Sequence, residues 1–188
     1  MKNYFDTLAP VYERLHIGAE RTYRKLIGTT QFKQSDVLVD IGGGTGRIAQ
    51  FFVGQVKEVI VIDPSEKMVE QCKKHDGITC VVGGTEQLPF TDKSIDKIIL
   101  VDAFHHLPDQ AGAIREMKRV LAENGQIIIE EFNPLTIGGK LVILMERIFK
   151  MGSRFYAPMN LAKMFGDYGL RVRIIDGKKK SYYLVATR

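Results

Sequence analysis

The stretch VLVDIGGGTGRIA, from Val37 to Ala49, predicts a strand, a tight turn and a helix in succession. Its first five residues are apolar except for Asp40, as in a parallel strand that is covered on both faces of its sheet. An unpaired buried carboxylate is costly. Asp40 is therefore expected at the carboxyl end of the strand, facing polar groups in a crevice above the sheet.

Four glycines follow this strand at Gly42, Gly43, Gly44 and Gly46. Because glycine has no side chain, the turn they form lets a ligand lie directly against the main chain. The helix after the turn is expected to begin near Thr45. Its free amide groups would favour a negatively charged part of the ligand, either a phosphate or a carboxylate.

The glycine pattern fits two classes of cofactor. Gly44, Gly46 and Ala49 match the dinucleotide pattern GxGxx(G/A). The same turn also reads as GxGxG when it is counted from Gly42. Both patterns require an acid at the end of the next strand, and Asp63 closes that strand, EVIVID. A carboxylate in this position accepts hydrogen bonds from the hydroxyl groups of a ribose.

Composition indicates an ordinary globular chain, with 188 residues of which 45% are hydrophobic. The net charge is +5, but the only run of basic residues, Lys178 to Lys180, is read as a solvated turn, and no nucleic-acid partner is expected. The first residues lack the apolar core of a secretory leader, so a cytoplasmic location is expected. Cys72 and Cys80 are expected to be reduced, and no metal site is predicted.

Strands and helices alternate five times along the chain, which is the pattern of a doubly wound α/β sheet with helices on both faces. Right-handed connections bring the carboxyl ends of the parallel strands to one rim. The polar groups expected at this rim are Asp40 and the glycines after it, Asp63, Thr85, Glu86, the segment DAFHH from Asp102 to His106, and the segment from Glu131 to Asn133.

Residues 1–188 are expected to form one domain, with two helical segments attached to the sheet. Residues 1–31 predict an N-terminal helical segment that either folds over the crevice or caps the sheet. Residues 135–168 predict a helical insertion before a terminal hairpin. Within it, the sequence IGGKLVILMERIFKM favours a helix packed in the core over a lid above an apolar substrate or a contact with a membrane surface.

Four blocks of sequence, in this order, resemble the class I methyltransferases that depend on S-adenosylmethionine, in particular the small group similar to ubiquinone/menaquinone C-methyltransferases. The blocks are FDTLAPVY from Phe5 to Tyr12, VDIGGGTG from Val39 to Gly46, TEQLPFTDKSID from Thr85 to Asp96, and FHHLPD from Phe104 to Asp109. The resemblance implies a Rossmann-like seven-stranded sheet in the order 3-2-1-4-5-7-6 with the last strand antiparallel. It also favours S-adenosylmethionine over a nicotinamide dinucleotide as the cofactor.

The resemblance further implies a role for each residue at the rim. The glycine turn would lie beside the methionine part of the cofactor, with Asp40 and Asp102 near that end, and Asp63 would hold the ribose. Pro64 and Met68 would flank the adenine, whereas Thr85 and Glu86 would approach its edge. One departure concerns Gly84, because this family often has an acid at the equivalent position.

Methyl transfer by in-line displacement needs mainly the alignment of donor and acceptor, so few catalytic side chains are expected. His105 and His106 are the candidates for a base, if the acceptor must lose a proton. Tyr12, Glu131 and Asn133 are placed by topology in the pocket of a small or lipophilic acceptor. Two alternatives stay open at this point: an NAD-dependent dehydrogenase, and a non-catalytic binding protein that resembles a methyltransferase.

Overall fold

The protein was analysed as a computed structural model that describes residues 18–149 and 151–188. One sheet contains seven strands in the order β3-β2-β1-β4-β5-β7-β6. The strands are β1 Val37–Ile41, β2 Glu58–Asp63, β3 Thr79–Val82, β4 Ile95–Val101, β5 Leu121–Phe132, β6 Arg171–Ile175 and β7 Ser181–Thr187. The helices are α1 Ala19–Thr29, α2 Glu66–Cys72, α3 Gln110–Val120, α4 Ile137–Ile148 and α5 Pro158–Asp167.

The strand directions confirm the predicted topology. The pairs β1–β2, β1–β4, β2–β3 and β4–β5 are parallel, whereas β7 is antiparallel to both β5 and β6. Asp40 is in register with Val61 of β2 and with Ile99 of β4. This register brings the carboxyl ends of β1, β2 and β4 side by side at one rim of the sheet.

Apolar residues from the two faces of the sheet form two separate cores. One core joins Ile98, Ile127 and Leu184 to buried residues of α3 and α5. The other joins Leu38, Ile99 and Val185 to residues of α1 and to Phe52. Helices therefore cover both faces, as the alternation of strands and helices predicts. Among the described helices, none is long and apolar enough to cross a membrane.

The described part of the N-terminal segment lies on a face of the sheet. Leu26 of α1 is fully buried, and the ring of Tyr23 stacks on Phe51 with a centroid distance of 5.3 Å. Arg173 of β6 donates a hydrogen bond of 2.7 Å to the carbonyl of Thr29, the last residue of α1. Tyr12 lies outside the described residues.

The helix predicted to begin near Thr45 is absent, and this prediction was wrong. After the glycine turn the chain forms only turns and a short 3-10 helix, Ala49–Phe52. Gly46 and Gly54 both adopt left-handed conformations, with φ of 77° and 78°. The short connection between β1 and β2 therefore has no room for a regular α-helix, since a left-handed residue bounds it at each end.

The prediction that the helix after β5 packs in the core was also wrong. Gly139 is its one buried residue, whereas Ile137 is 89% exposed and Leu141 is 60% exposed. Helix α4 begins beyond the carboxyl end of β5, where the sheet has ended, and α5 is the helix that packs against β6 and β7. The apolar stripe of α4 therefore has no sheet face to cover.

The expectation of two reduced cysteines was wrong as well, because Cys72 and Cys80 form a disulfide. Cys72 ends α2 and Cys80 lies in β3, eight residues later. The chain reverses between these two elements and brings the two Cα atoms to 6.1 Å, a separation that a disulfide can span. Sequence spacing alone did not reveal this pairing, since it depends on how α2 packs beside β3.

Candidate active site

A cavity of about 650 Å³ lies at the carboxyl ends of β1, β2 and β4. Its volume is in the range of sites that bind small molecules or cofactors. The residues that line it come from the strand ends, the glycine turn and the loops after β3 and β4. They include Asp40, Gly42, Gly43, Gly44, Asp63, Pro64, Met68, Thr85, Glu86, Asp102, His106 and Leu107.

The glycine turn forms the floor of the cavity, and two of its positions have no space for a side chain. A Cβ atom at Gly42, where φ is 71°, would lie 2.7 Å from the Cβ of Ala103. A Cβ atom at Gly43 would lie 2.6 Å from the carboxyl carbon of Asp40. The main chain therefore packs tightly against the end of β1 and the loop after β4, and a ligand in the cavity contacts backbone.

Asp63 is held at the edge of the cavity by the main chain on both sides. One carboxylate oxygen accepts a hydrogen bond of 3.0 Å from the amide of Gly44, and the other accepts one of 2.9 Å from the amide of Ser65. These bonds connect the end of β2 to the glycine turn and to the start of α2. A carboxylate accepts hydrogen bonds at both of its oxygens, so Asp63 is a group suited to bind a pair of ligand hydroxyls.

Two other carboxyl groups make the cavity suited to a cation. Burial, reinforced by the charge of Asp63, raises the pKa of Asp40 to about 7. Burial and the nearby Glu130 and Glu131 raise the pKa of Asp102 to about 7. Arg47 opposes both shifts only in part. A positively charged ligand would favour the ionised forms, so the site attracts cations more strongly above neutral pH.

Asp102 has an unusual backbone conformation and a buried polar atom that no described residue satisfies. It adopts a left-handed conformation with φ of 51°, which is uncommon for a residue other than glycine. Its Oδ1 atom is buried and has no hydrogen-bond partner in residues 18–149 and 151–188. Buried polar atoms are normally paired. A hydrogen-bond donor on a molecule bound in the cavity would satisfy this oxygen.

One side of the cavity is formed by α2 and the loop after β3. Ser65 caps α2 by accepting a hydrogen bond of 3.2 Å from the amide of Met68, and this positions the Met68 side chain near Gly44. The carboxylate of Glu86 folds back over Gly84 and occupies the space that a side chain at that position would fill.

Behind the opposite wall, His105 lies between two carboxylates. Its Nδ1 is 2.7 Å from an oxygen of Glu131, and its Nε2 is 3.5 Å from an oxygen of Glu146 in α4. Burial alone would lower the pKa of His105, but the hydrogen bonds to Glu131 and Glu146 outweigh it and raise the pKa to about 9. His105 is therefore a buried cation at neutral pH.

His106 differs from its neighbour because its ring reaches the cavity. Burial and the positive charge of His105, whose ring centroid is 4.1 Å away, lower the pKa of His106 to about 4. Its Nδ1 lies 3.1 Å from the hydroxyl oxygen of Ser153. The two histidines thus have opposite protonation states at neutral pH, with a neutral imidazole facing the cavity.

Comparison with known proteins identifies the family of this domain. A family described as "Methyltransferase domain" matches residues 39–129. The ubiquinone/menaquinone biosynthesis C-methyltransferase UbiE of Geotalea uraniireducens is 27% identical over 148 residues, which are 71% of this chain and 63% of that protein. The demethylmenaquinone methyltransferase of Thermotoga maritima is 30% identical over 139 residues, or 69% of this chain and 60% of that protein. Residues 39–129 therefore belong to the methyltransferase domain family.

A solved structure supports the fold of this methyltransferase. An S-adenosylmethionine-dependent methyltransferase of Thermotoga maritima, described as a possible histamine N-methyltransferase, superimposes with a TM-score of 0.81. The superposition covers 97% of both chains at 21% identity. The chain spans about three fifths of the length of the two curated relatives named above.

The methyltransferase cavity gathers most of the residues that were predicted to bind the cofactor. All of them line it except Gly46, which instead lies over the disulfide, where a Cβ atom would be 3.2 Å from the sulfur of Cys72. Its carboxylates and glycine floor fit the charged amino-acid end and the sulfonium of S-adenosylmethionine, since both the ammonium and the sulfonium are cationic.

The residues predicted to act as a base or to line the acceptor pocket do not all reach the cavity. His106 lines the cavity, but His105, Glu131 and Asn133 are not among its lining residues. The carboxylate of Glu131 is paired with the imidazole of His105. Asn133 connects two loops, since its side-chain amide donates a hydrogen bond of 2.8 Å to the carbonyl of Gly177. Topology places both residues at the correct rim, but their side chains are used for internal hydrogen bonds.

Three residues of this region were missed by the sequence analysis. Arg47 and Met151 line the cavity, and Glu146 contacts His105. Arg47 could have been found, because it directly follows the glycine turn. Met151 and Glu146 lie in or after α4, and only the tertiary structure brings this segment to the rim.

The two histidines and Glu146 also bring together atoms that could bind a metal ion. Ligand atoms of His105, His106 and Glu146 lie within 4.8 Å of one another. No metal ligands were predicted from the sequence. The short contact between His105 and Glu131 indicates an ion-paired network, in which a proton on His105 supplies the positive charge between the carboxylates.

Glu86 is expected to take the place of the acid that is missing at position 84. Replacing Glu86 with alanine should weaken binding of S-adenosylhomocysteine about fivefold to tenfold, the effect of losing one partly exposed hydrogen bond. Gly84→Asp alone should bring no gain, because the Glu86 carboxylate occupies that space, whereas the double variant Gly84→Asp/Glu86→Ala should recover affinity. Calorimetric titration measures all three. Gln87→Ala, next to Glu86 but outside the cavity lining, serves as the control.

Proposed function

We propose that this chain transfers a methyl group to a small, lipophilic acceptor by in-line displacement. The observation that carries the proposal is the position of Asp63, held beside the glycine turn at the edge of a cavity lined by further carboxylates. This arrangement suits a nucleoside with a cationic amino-acid tail. An NAD-dependent dehydrogenase would bind the phosphates of its dinucleotide at the glycine turn. In this chain the acidic groups Asp40 and Asp102 disfavour a negatively charged ligand there.

In this proposal the residues predicted to bind the cofactor each contact a different part of it. Asp63 holds the ribose hydroxyls, and Asp40 and Asp102 hold the cationic end beside the glycine turn. Pro64 and Met68 cover the faces of the adenine, and Thr85 with Glu86 contacts its edge. S-adenosylmethionine, when bound, supplies an activated methyl group whose bonding electrons return to sulfur as the acceptor forms its new bond to carbon.

The protein's own contribution to the reaction is mainly alignment and the exclusion of water. His106 is the proposed base for acceptors that must lose a proton, because it lines the cavity as a neutral imidazole, the form that can take up a proton. His105, which is buried and cationic, is proposed to keep His106 neutral. This assigns the two histidines of the FHHLPD block separate roles.

The acceptor is proposed to be largely apolar and small. Beside His106, the cavity is bounded by Leu107, Pro108 and Met151, and the exposed apolar helix α4 lies next to it. The similarity to quinone C-methyltransferases makes a hydroquinone ring the first acceptor to test. A cytoplasmic location is retained as part of this proposal.

Two measurements test the proposed function. Calorimetry should show binding of S-adenosylhomocysteine, and a radiolabelled methyl donor should label one member of a panel of hydroquinones, catechols and amines. His106→Asn should keep the affinity for S-adenosylhomocysteine but lower the transfer rate at least about 100-fold if the acceptor carries an acidic proton. Binding without transfer to any acceptor would instead favour the non-catalytic binding protein.

A further inference from the structure

Helix α4 exposes a continuous apolar face. Its large apolar residues Ile137, Leu141, Leu144, Met145 and Ile148 are between 46% and 89% exposed. Their spacing places them on one side of the helix. Soluble proteins seldom expose large residues in a contiguous group, and such patches usually mark an interaction surface. These five residues are called the α4 face below.

The charges around the α4 face are basic. Lys140 and Arg147 are the exposed charged residues of α4, whereas its acid, Glu146, is turned inward to His105. The hairpin turn brings Lys180 beside the helix, where its side chain packs 3.0 Å from the position of a Cβ atom on Gly138. The acid of this turn, Asp176, is paired with Lys179 at 2.9 Å. The rim of the patch is therefore complementary to anionic groups.

The α4 face adjoins the cavity. Glu146 connects the helix to His105, and Met151, shortly after the helix, lines the cavity. The returning chain is fastened as well, since the amide of Arg154 donates a hydrogen bond of 2.9 Å to the carbonyl of His105 and the Phe155 ring stacks on His105 at 4.3 Å. Whatever binds the α4 face is thus held beside the cavity.

An apolar helical face with basic residues at its margin is typical of helices that lie in the interface of a bilayer. With 12 residues, α4 has a length of about 18 Å, which is too short to cross the hydrocarbon layer. We propose that the α4 face docks the protein on a membrane that carries anionic lipids, with Lys140, Arg147 and the Lys178–Lys180 turn on the lipid phosphates. The inference deepens the proposed function, because the bilayer would be the source of the lipophilic acceptor.

Sedimentation with lipid vesicles tests the proposal on the full chain. The protein should co-sediment with phosphatidylcholine vesicles that contain phosphatidylglycerol, and at least about tenfold less with phosphatidylcholine alone. Leu141→Ser/Leu144→Ser/Ile148→Ser should reduce binding at least about tenfold. Lys140→Glu/Arg147→Glu should remove the preference for anionic vesicles. Met159→Ser, which changes an equally exposed apolar residue of α5, should bind like the wild type.

Other results would overturn the proposal. It fails if the wild type does not bind vesicles, or if the triple serine variant binds as well as the wild type. It also fails if the wild type is a dimer that the triple variant converts to a monomer, since a second copy then covers the α4 face. Vesicle binding that appears only after removal of residues 1–17 would show that this segment covers the α4 face instead.

Calorimetry with S-adenosylhomocysteine on the same samples separates this test from the proposed function. Unchanged binding in the serine and glutamate variants shows that they are folded. A protein that binds S-adenosylhomocysteine but no vesicles would contradict only the membrane proposal, whereas one that binds vesicles but no S-adenosylhomocysteine would contradict only the function proposed above.

Discussion

Asp63→Ala is expected to weaken S-adenosylhomocysteine binding by at least about 100-fold. The carboxylate is oriented by the amides of Gly44 and Ser65, and Asp63 lines the cavity. Hydrogen bonds to a charged group contribute about 1.5–3 kcal/mol each, so losing the hydrogen bonds from both ribose hydroxyls accounts for a change of this size. The alanine variant also frees the amide of Gly44, which loosens the turn that forms the floor. Calorimetric titration gives the ratio of dissociation constants directly.

Two companion variants complete this experiment. Asp63→Asn retains the size of the side chain, but its amide nitrogen cannot accept a hydrogen bond from a main-chain amide, so it should also bind weakly. Glu70→Ala removes an exposed acid from α2, outside the cavity lining, and should bind like the wild type. A wild-type affinity in Asp63→Ala would show that the nucleoside does not lie along the end of β2, and the cofactor site would have to be sought elsewhere.

Glu131→Gln is expected to lower the free energy of unfolding by about 3 kcal/mol at pH 7. The side chains of His105 and Glu131 are only 1% and 3% exposed, and their atoms are 2.7 Å apart. Glutamine has nearly the same shape, so the loss reflects the uncompensated charge of the buried imidazolium. Urea denaturation measures the change. S-adenosylhomocysteine binding should persist, because Glu131 is not part of the cavity lining.

The ion pair between His105 and Glu131 also predicts how the free energy of unfolding depends on pH. The pKa of His105 is raised to about 9 in the folded protein, above its ordinary value of 6.5. The folded state therefore binds the proton more tightly than the unfolded state. The stabilisation that protonated His105 provides is fully present below pH 6.5 and is lost as the pH rises through about 9.

Unfolding experiments at pH 6.5 and pH 9.5 check this dependence. Glu131→Gln should differ strongly from the wild type at the lower pH and much less at the higher one. Glu123→Gln, at an exposed acid of β5, should follow the wild type at both. An equal loss in Glu131→Gln at the two pH values would show that packing, not the ion pair, explains its effect.

The sheet was largely predictable because its signals are local. The runs VLVDI and EVIVID are apolar enough for buried parallel strands, and each carries an aspartate at or next to its carboxyl end. Alternation with helices and the preference for right-handed connections then bring Asp40 and Asp63 to one rim. All of the residues predicted to bind the cofactor line the cavity except Gly46.

Two of the errors concern contacts between elements that are far apart or independent in sequence. The same periodicity describes a core helix and an exposed one, so the stripe of α4 could not show that the sheet ends before it. Likewise, the pairing of Cys72 with Cys80 depends on how α2 lies beside β3. A third error is local: the helix predicted after the glycine turn is reduced to a short 3-10 helix, because Gly46 and Gly54 on either side of it adopt left-handed conformations.

By itself the sequence determined the strands, the glycine floor and the acids at the strand ends, because hydrophobic periodicity and backbone freedom are properties of neighbouring residues. Only the tertiary structure decided which carboxylates surround His105 and that α4 turns its apolar face to solvent. These features arise where distant segments meet, and there the charge and burial of a side chain depend on partners up to tens of residues away along the chain.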